Sequence, residues 1–135
     1  MHHHWHGYLW IGNGADRERE AERRPTSPDF ETSPLPPMRT GDWLLKPAHR
    51  IAETFYDLDS ALKWMTVQYE MVESSLVETN PVPLEVRLEN ARLLLPEQID
   101  VQWGEWLTQG RFITVGVICC PNIHVPHPCQ LGSAS

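Results

Sequence analysis

No apolar run in this chain is long enough to cross a bilayer. The longest, Val115 to Cys120, falls far short of the roughly 20 residues a spanning helix needs. The first residues lack the apolar core of a secretion signal, so no leader is expected. There is no basic stripe either. The formal net charge is -7, and the only concentration of bases, Arg17, Arg19, Arg23 and Arg24, is interleaved with Asp16, Glu18, Glu20 and Glu22. That near self-neutralisation argues against a nucleic-acid ligand and against an anionic membrane surface. A phosphate-cradling loop is missing as well, because Gly12-Asn13-Gly14 runs into charge rather than into a helix opening. Cysteine is scarce and odd in number, at three. Adjacent Cys119 and Cys120 are poorly placed to bridge each other, and secreted scaffolds carry even pairs. Free thiols in a reducing, cytoplasmic setting are therefore expected.

What remains is a chain of 135 residues, 41% hydrophobic, with six tryptophans. That suits one folded domain, with large buried area supplied by few residues. Three stretches differ in character. Residues 1–14 hold MHHHWH and the aromatic run Tyr8 to Ile11, read as a short strand. The histidines suggest a tag remnant. Only three are consecutive, and the aromatic run follows without a linker, which favours native sequence. Residues 15–40 pass from charge into PTSPDFETSPLPP, which reads as a linker or a surface-wrapping arm. In that arm Leu35-Pro36-Pro37 could dock a partner in polyproline form, although a plain tether fits the composition better. Residues 41–135 are expected to form the domain.

Within that domain the alternation of Ile51, Glu53 and Phe55 predicts a strand. Leu58, Leu62, Met65, Tyr69, Val72 and Leu76 recur at helical spacing, so a helix is expected over 57–77 with Asp57 as its N-cap and Asn80-Pro81 as its stop. Residues 84–95 fit both a helix and a strand, and the richness in Leu, Glu, Arg and Ala favours helix. Asp100–Leu107 and Arg111–Cys119 predict a hairpin closed by Thr108-Gln109-Gly110, with Leu107 opposite Arg111. The expected fold is α+β. A small, mostly antiparallel sheet packs on one or two helices, and a Pro-rich extended segment precedes it.

Two features point to function. One hairpin face carries Gly104, Trp106, Phe112, Thr114 and Gly116, a glycine-floored surface walled by aromatics. Tryptophan anchors many interfaces, so the leading expectation is a non-enzymatic interaction module, an adaptor or regulatory subunit with a protein partner. Small-molecule binding on the same face is a weaker reading, and self-association stays open. The alternative is a zinc-type metal protein or enzyme using Cys120, His124, His127 and Cys129 from the tail CCPNIHVPHPC. Cys119 is left out because neighbouring strand residues point to opposite faces. Catalysis has thinner support. A tail cysteine beside His124 or His127 lacks a third member, and His49, Glu53 and Asp57 share a face only if 49–57 is extended. An amino-terminal copper or nickel chelate from Met1 and His3 is also spaced correctly but carries no functional reading.

Overall fold

The structure is a computed structural model, which describes residues 3–78 and 82–131. Four antiparallel strands form one sheet: β1 (His4–Asn13), β2 (Ile51–Phe55), β3 (Val101–Leu107) and β4 (Arg111–Cys120), in the order β2-β1-β4-β3. Helices α1 (Leu58–Val72) and α2 (Leu84–Leu94) cover one face. This is the α+β architecture that the sequence pattern implies. No helix among the described residues is long and apolar enough to cross a membrane.

The amino-terminal aromatic run is not peripheral. β1 pairs with β4 along its whole length, from His4 opposite Cys120 to Asn13 opposite Arg111, and so sits in the middle of the sheet. Strand alternation then gives β1 two buried faces. Trp5 and Leu9 meet Cys119 and Val115 under the helices, while His6, Tyr8 and Trp10 point the other way. The hairpin register is as expected, with Leu107 opposite Arg111. Both Gln109 and Gly110 adopt positive φ in the connection, so the turn uses a second left-handed residue beyond the glycine.

The stripe on α1 buries Ala61, Leu62, Met65 and Tyr69 against the sheet. Asp57 caps it, its carboxylate accepting from the Ser60 amide at 2.8 Å and from the Ser60 hydroxyl at 2.8 Å. The helix stops earlier than the periodicity suggests. A short 3-10 turn follows, and then Leu76 and Val77 extend along the outer edge of β3, where the Val77 amide donates to the Trp106 carbonyl. The expected stop at Asn80-Pro81 lies outside the described residues. α2 is a helix, which resolves the ambiguity of that segment. Its Arg87 pairs with Glu105 on β3, both side chains about nine-tenths buried.

The second face is closed by the chain itself. Phe30, Leu35, Trp43 and Leu44 are almost fully buried, as are Pro36 and Pro37. Trp43 stacks on Tyr8 at 4.8 Å, and its Nε1 donates to Gln102 Oε1 at 2.9 Å. Lys46 fastens this layer: its buried ammonium donates to the carbonyls of Phe30 and Ser33 at 2.6 and 2.8 Å and lies 3.9 Å over the Phe30 ring. Burial lowers its pKa to about 8, with Arg50 adding to the effect.

Truncating Met65, which has no solvent exposure, leaves a void between α1 and the sheet. Met65→Ala is expected to lower unfolding stability by about 2–5 kcal/mol in denaturant titration. Asp57→Ala, which loses only the cap, is expected to cost about 1 kcal/mol.

Candidate metal centre

The β1–β4 register sets the position of three polar side chains on the arm-covered face. Directly opposed residues in an antiparallel pair project to the same side, so His4 and Cys120 are neighbours. His6 lies two residues along and shares that side. The fourth member arrives from the tail. Residues 121–131 form no strand or helix, and they turn back across the sheet. Asn122 donates to the Asp100 carboxylate at 3.0 Å, Val125 packs on Gly41, and His127 Nε2 lies 2.9 Å from buried Asp42. Gln130 bonds to the Trp43 carbonyl at 3.0 Å, and also to the Lys46 carbonyl and the Tyr8 hydroxyl. These anchors place the Cys129 sulfur 3.7 Å from His4 Nε2 and 3.5 Å from His6 Nε2.

His4, His6, Cys120 and Cys129 thus bring one donor atom each to within 4.8 Å of one another. Tetrahedral zinc with Zn–S of about 2.3 Å and Zn–N of about 2.05 Å has sulfur-to-nitrogen edges of about 3.6 Å. The two observed sulfur–nitrogen separations straddle that figure. His6 Nδ1 lies 2.9 Å from Thr54 Oγ1 on β2. A neutral imidazole with its proton on Nδ1 donates to that hydroxyl and leaves the Nε2 lone pair facing Cys129, the orientation a metal ligand needs.

Electrostatics fit the same use. Burial, with His4 next to it, lowers the His6 pKa to about 4, so its imidazole is neutral at pH 7. Burial and the neighbouring Cys129 push the Cys120 thiol up to about 12. Without an ion, burial thus disfavours the charged form of both groups. A bound dication reverses the balance by stabilising thiolate directly. Cys119 stands apart. It faces the helices, and burial together with Asp100 raises its pKa to about 12.

The expected tail quartet is corrected in part. Cys120 and Cys129 do converge, but His124 and His127 do not join them. His127 is drawn to Asp42, and His124 is exposed, its amide donating to Asn122 Oδ1 at 2.9 Å. His4 and His6 take their places. Two histidines spaced to share a strand face were visible in the sequence, but their partner strand was not.

The expected docking face is mostly covered. Phe112 and Thr114 are buried, and Gly116 lies beneath Trp43 and Gln102. Arg17 stacks 3.9 Å over the Phe112 ring. Trp106 remains half exposed, with its ring over Gly14, and Gly104 is exposed beside it. His49 falls in a 3-10 turn before β2, and the register slips between Gly7 and Tyr8, so His49, Glu53 and Asp57 do not line one strand face. The amino-terminal chelate needs Met1, which lies outside the described residues.

Because the folded His6 pKa lies below its unfolded value of 6.5, the unfolded chain takes up a proton at this residue first on acidification. Stability of the metal-free protein is then expected to fall between pH 6.5 and 4. Denaturant titrations of metal-free protein at steps across that range, against His6→Gln, check this. The wild-type advantage should shrink towards low pH.

The chain matches no protein-family model, no curated protein and no solved structure.

Proposed function

We propose that this chain is a metal-binding protein of the zinc type, its ion held by His4, His6, Cys120 and Cys129. The observation that carries the reading is the convergence of two sulfur and two imidazole donors within 4.8 Å of one another, with Cys129 Sγ 3.7 and 3.5 Å from the His4 and His6 Nε2 atoms. Mixed thiolate and imidazole donors favour zinc over calcium, magnesium or manganese, which prefer oxygen. Four protein ligands close the coordination sphere, which is the pattern of a structural ion rather than a hydrolytic one. The ion ties β1, β4 and the tail together at one point, so its binding energy adds to folding.

Elemental analysis of tag-free protein prepared anaerobically is expected to give one zinc per chain. Cobalt substitution is expected to give thiolate-to-metal absorption that Cys129→Ser weakens and loss of both Cys120 and Cys129 removes. Absence of stoichiometric metal ends this reading. Thr54→Val, which removes only the partner of His6 Nδ1, is expected to weaken zinc affinity about 10–100-fold in competition with a chelator.

Trp106 supports a second reading, the non-enzymatic interaction module. It is 50% exposed at the sheet's outer strand, beside exposed Gly104. A half-exposed indole is a common anchor for a protein partner. Trp106→Ala in a still-folded protein is expected to reduce recovery of a partner from native lysate, and unchanged recovery counts against the module.

A further inference from the structure

We infer that the centre is a peroxide-responsive release site: oxidation joins Cys120 to Cys129 in a disulfide and frees the ion. This rests on the metal reading above and specifies how that site is regulated. Topology selects the pair. Cys119 and Cys120 are adjacent on β4 and face opposite sides of the sheet. Cys119 is sealed beneath the helices near the Leu95 carbonyl. Only Cys120 and Cys129 share a face, with sulfurs within 4.8 Å.

The two sulfurs differ in access. Cys120 is 2% exposed on a central strand, whereas Cys129 is partly exposed on the tail. An oxidant from solvent therefore reaches Cys129 first. A disulfide needs a sulfur–sulfur distance of about 2 Å. That movement falls to the Cys129 side chain and the tail, which side-chain bonds rather than a sheet ladder hold, while β4 is held in the sheet ladder.

The chemistry balances with hydrogen peroxide as oxidant. The Cys129 thiolate attacks a peroxide oxygen; the S–O bond forms, the O–O bond breaks, and the expelled hydroxide takes a proton to become water. The Cys120 thiolate then attacks the Cys129 sulfur; the S–S bond forms, the S–O bond breaks, and a second hydroxide leaves and is protonated to water. Two electrons pass from the sulfurs to the peroxide oxygens, and two protons are consumed. Zinc is redox-inert and keeps its charge throughout. The disulfide is neutral and too short to span a tetrahedral edge, which leaves only His4 and His6 as donors, and the ion departs. Thiol reductants reverse the exchange and restore the site.

The test treats the full chain, loaded with zinc, with hydrogen peroxide. Released zinc is read with a chromogenic chelator, and free thiols by alkylation and intact mass. The expected result is full release of the bound ion, loss of two hydrogens from the chain, and one thiol left to alkylate. Cys119→Ala is expected to release as fully and to leave no thiol to alkylate. Zinc that binds in full but stays bound under peroxide overturns the switch and leaves the centre standing. So does zinc released without a Cys120–Cys129 bond. A chain that takes up no zinc overturns the centre itself, and the switch with it.

Discussion

Pairing between β1 and β4 is the constraint on which the rest of the molecule depends. It runs without a break from His4–Cys120 to Asn13–Arg111 and puts the first strand at the middle of the sheet. β1 carries apolar side chains on both faces, Trp5 and Leu9 on one and Tyr8 and Trp10 on the other, so both of its sides need cover. The helices supply one cover through Leu62, Met65 and Ala91. The proline-rich arm supplies the other through Leu35, together with Trp43 and Leu44 from the 3-10 turn that follows it. An arm with so few apolar residues cannot order itself alone. It orders because Tyr8, Trp10 and Ile118 offer a ready-made apolar surface, and because Lys46 fastens its carbonyls from beneath.

The same register makes the polar cluster. Shifting β1 by one residue would send His4 and His6 to the helix side and bring Trp5 and Gly7 in their place. The positions of His4, His6 and Cys120 on one face are thus set by the register of the two strands. What the cluster does demand is neutrality without an ion. His6 is buried and uncharged at pH 7, and the Cys120 thiol is held protonated. An arriving dication displaces the thiol protons, so occupancy couples to acidity as well as to folding.

Much of the fold was legible in local pattern. The stripe from Leu58 to Tyr69, the Asp57 cap and the hairpin register are all short-range signals, and the structure carries each of them. The opposition of Cys119 and Cys120 follows from the two-residue period of a strand. The site was legible only by half. Cys120 and Cys129 were singled out from the tail, but of the histidines between them His127 is taken by Asp42 and His124 is exposed. His4 and His6 reach the cluster through a pairing between opposite ends of the chain, which no local window reports. The cover over Gly116 was hidden for the same reason. Trp43 comes from a segment whose prolines and charges disguise how much of it is buried.

The placement of β1 also bears on how the chain acquires its shape during synthesis. The strand that must sit centrally is made first, and the neighbour that completes it is made last. Until β4 leaves the ribosome, β1 can pair only with the short β2, and its other edge stays open. Contacts of such long sequence separation form slowly, because loop-closure entropy is lost before the sheet gains its pairing. Between the making of β1 and the making of β4, the nascent chain therefore carries an unmatched strand edge, rich in backbone donors and acceptors.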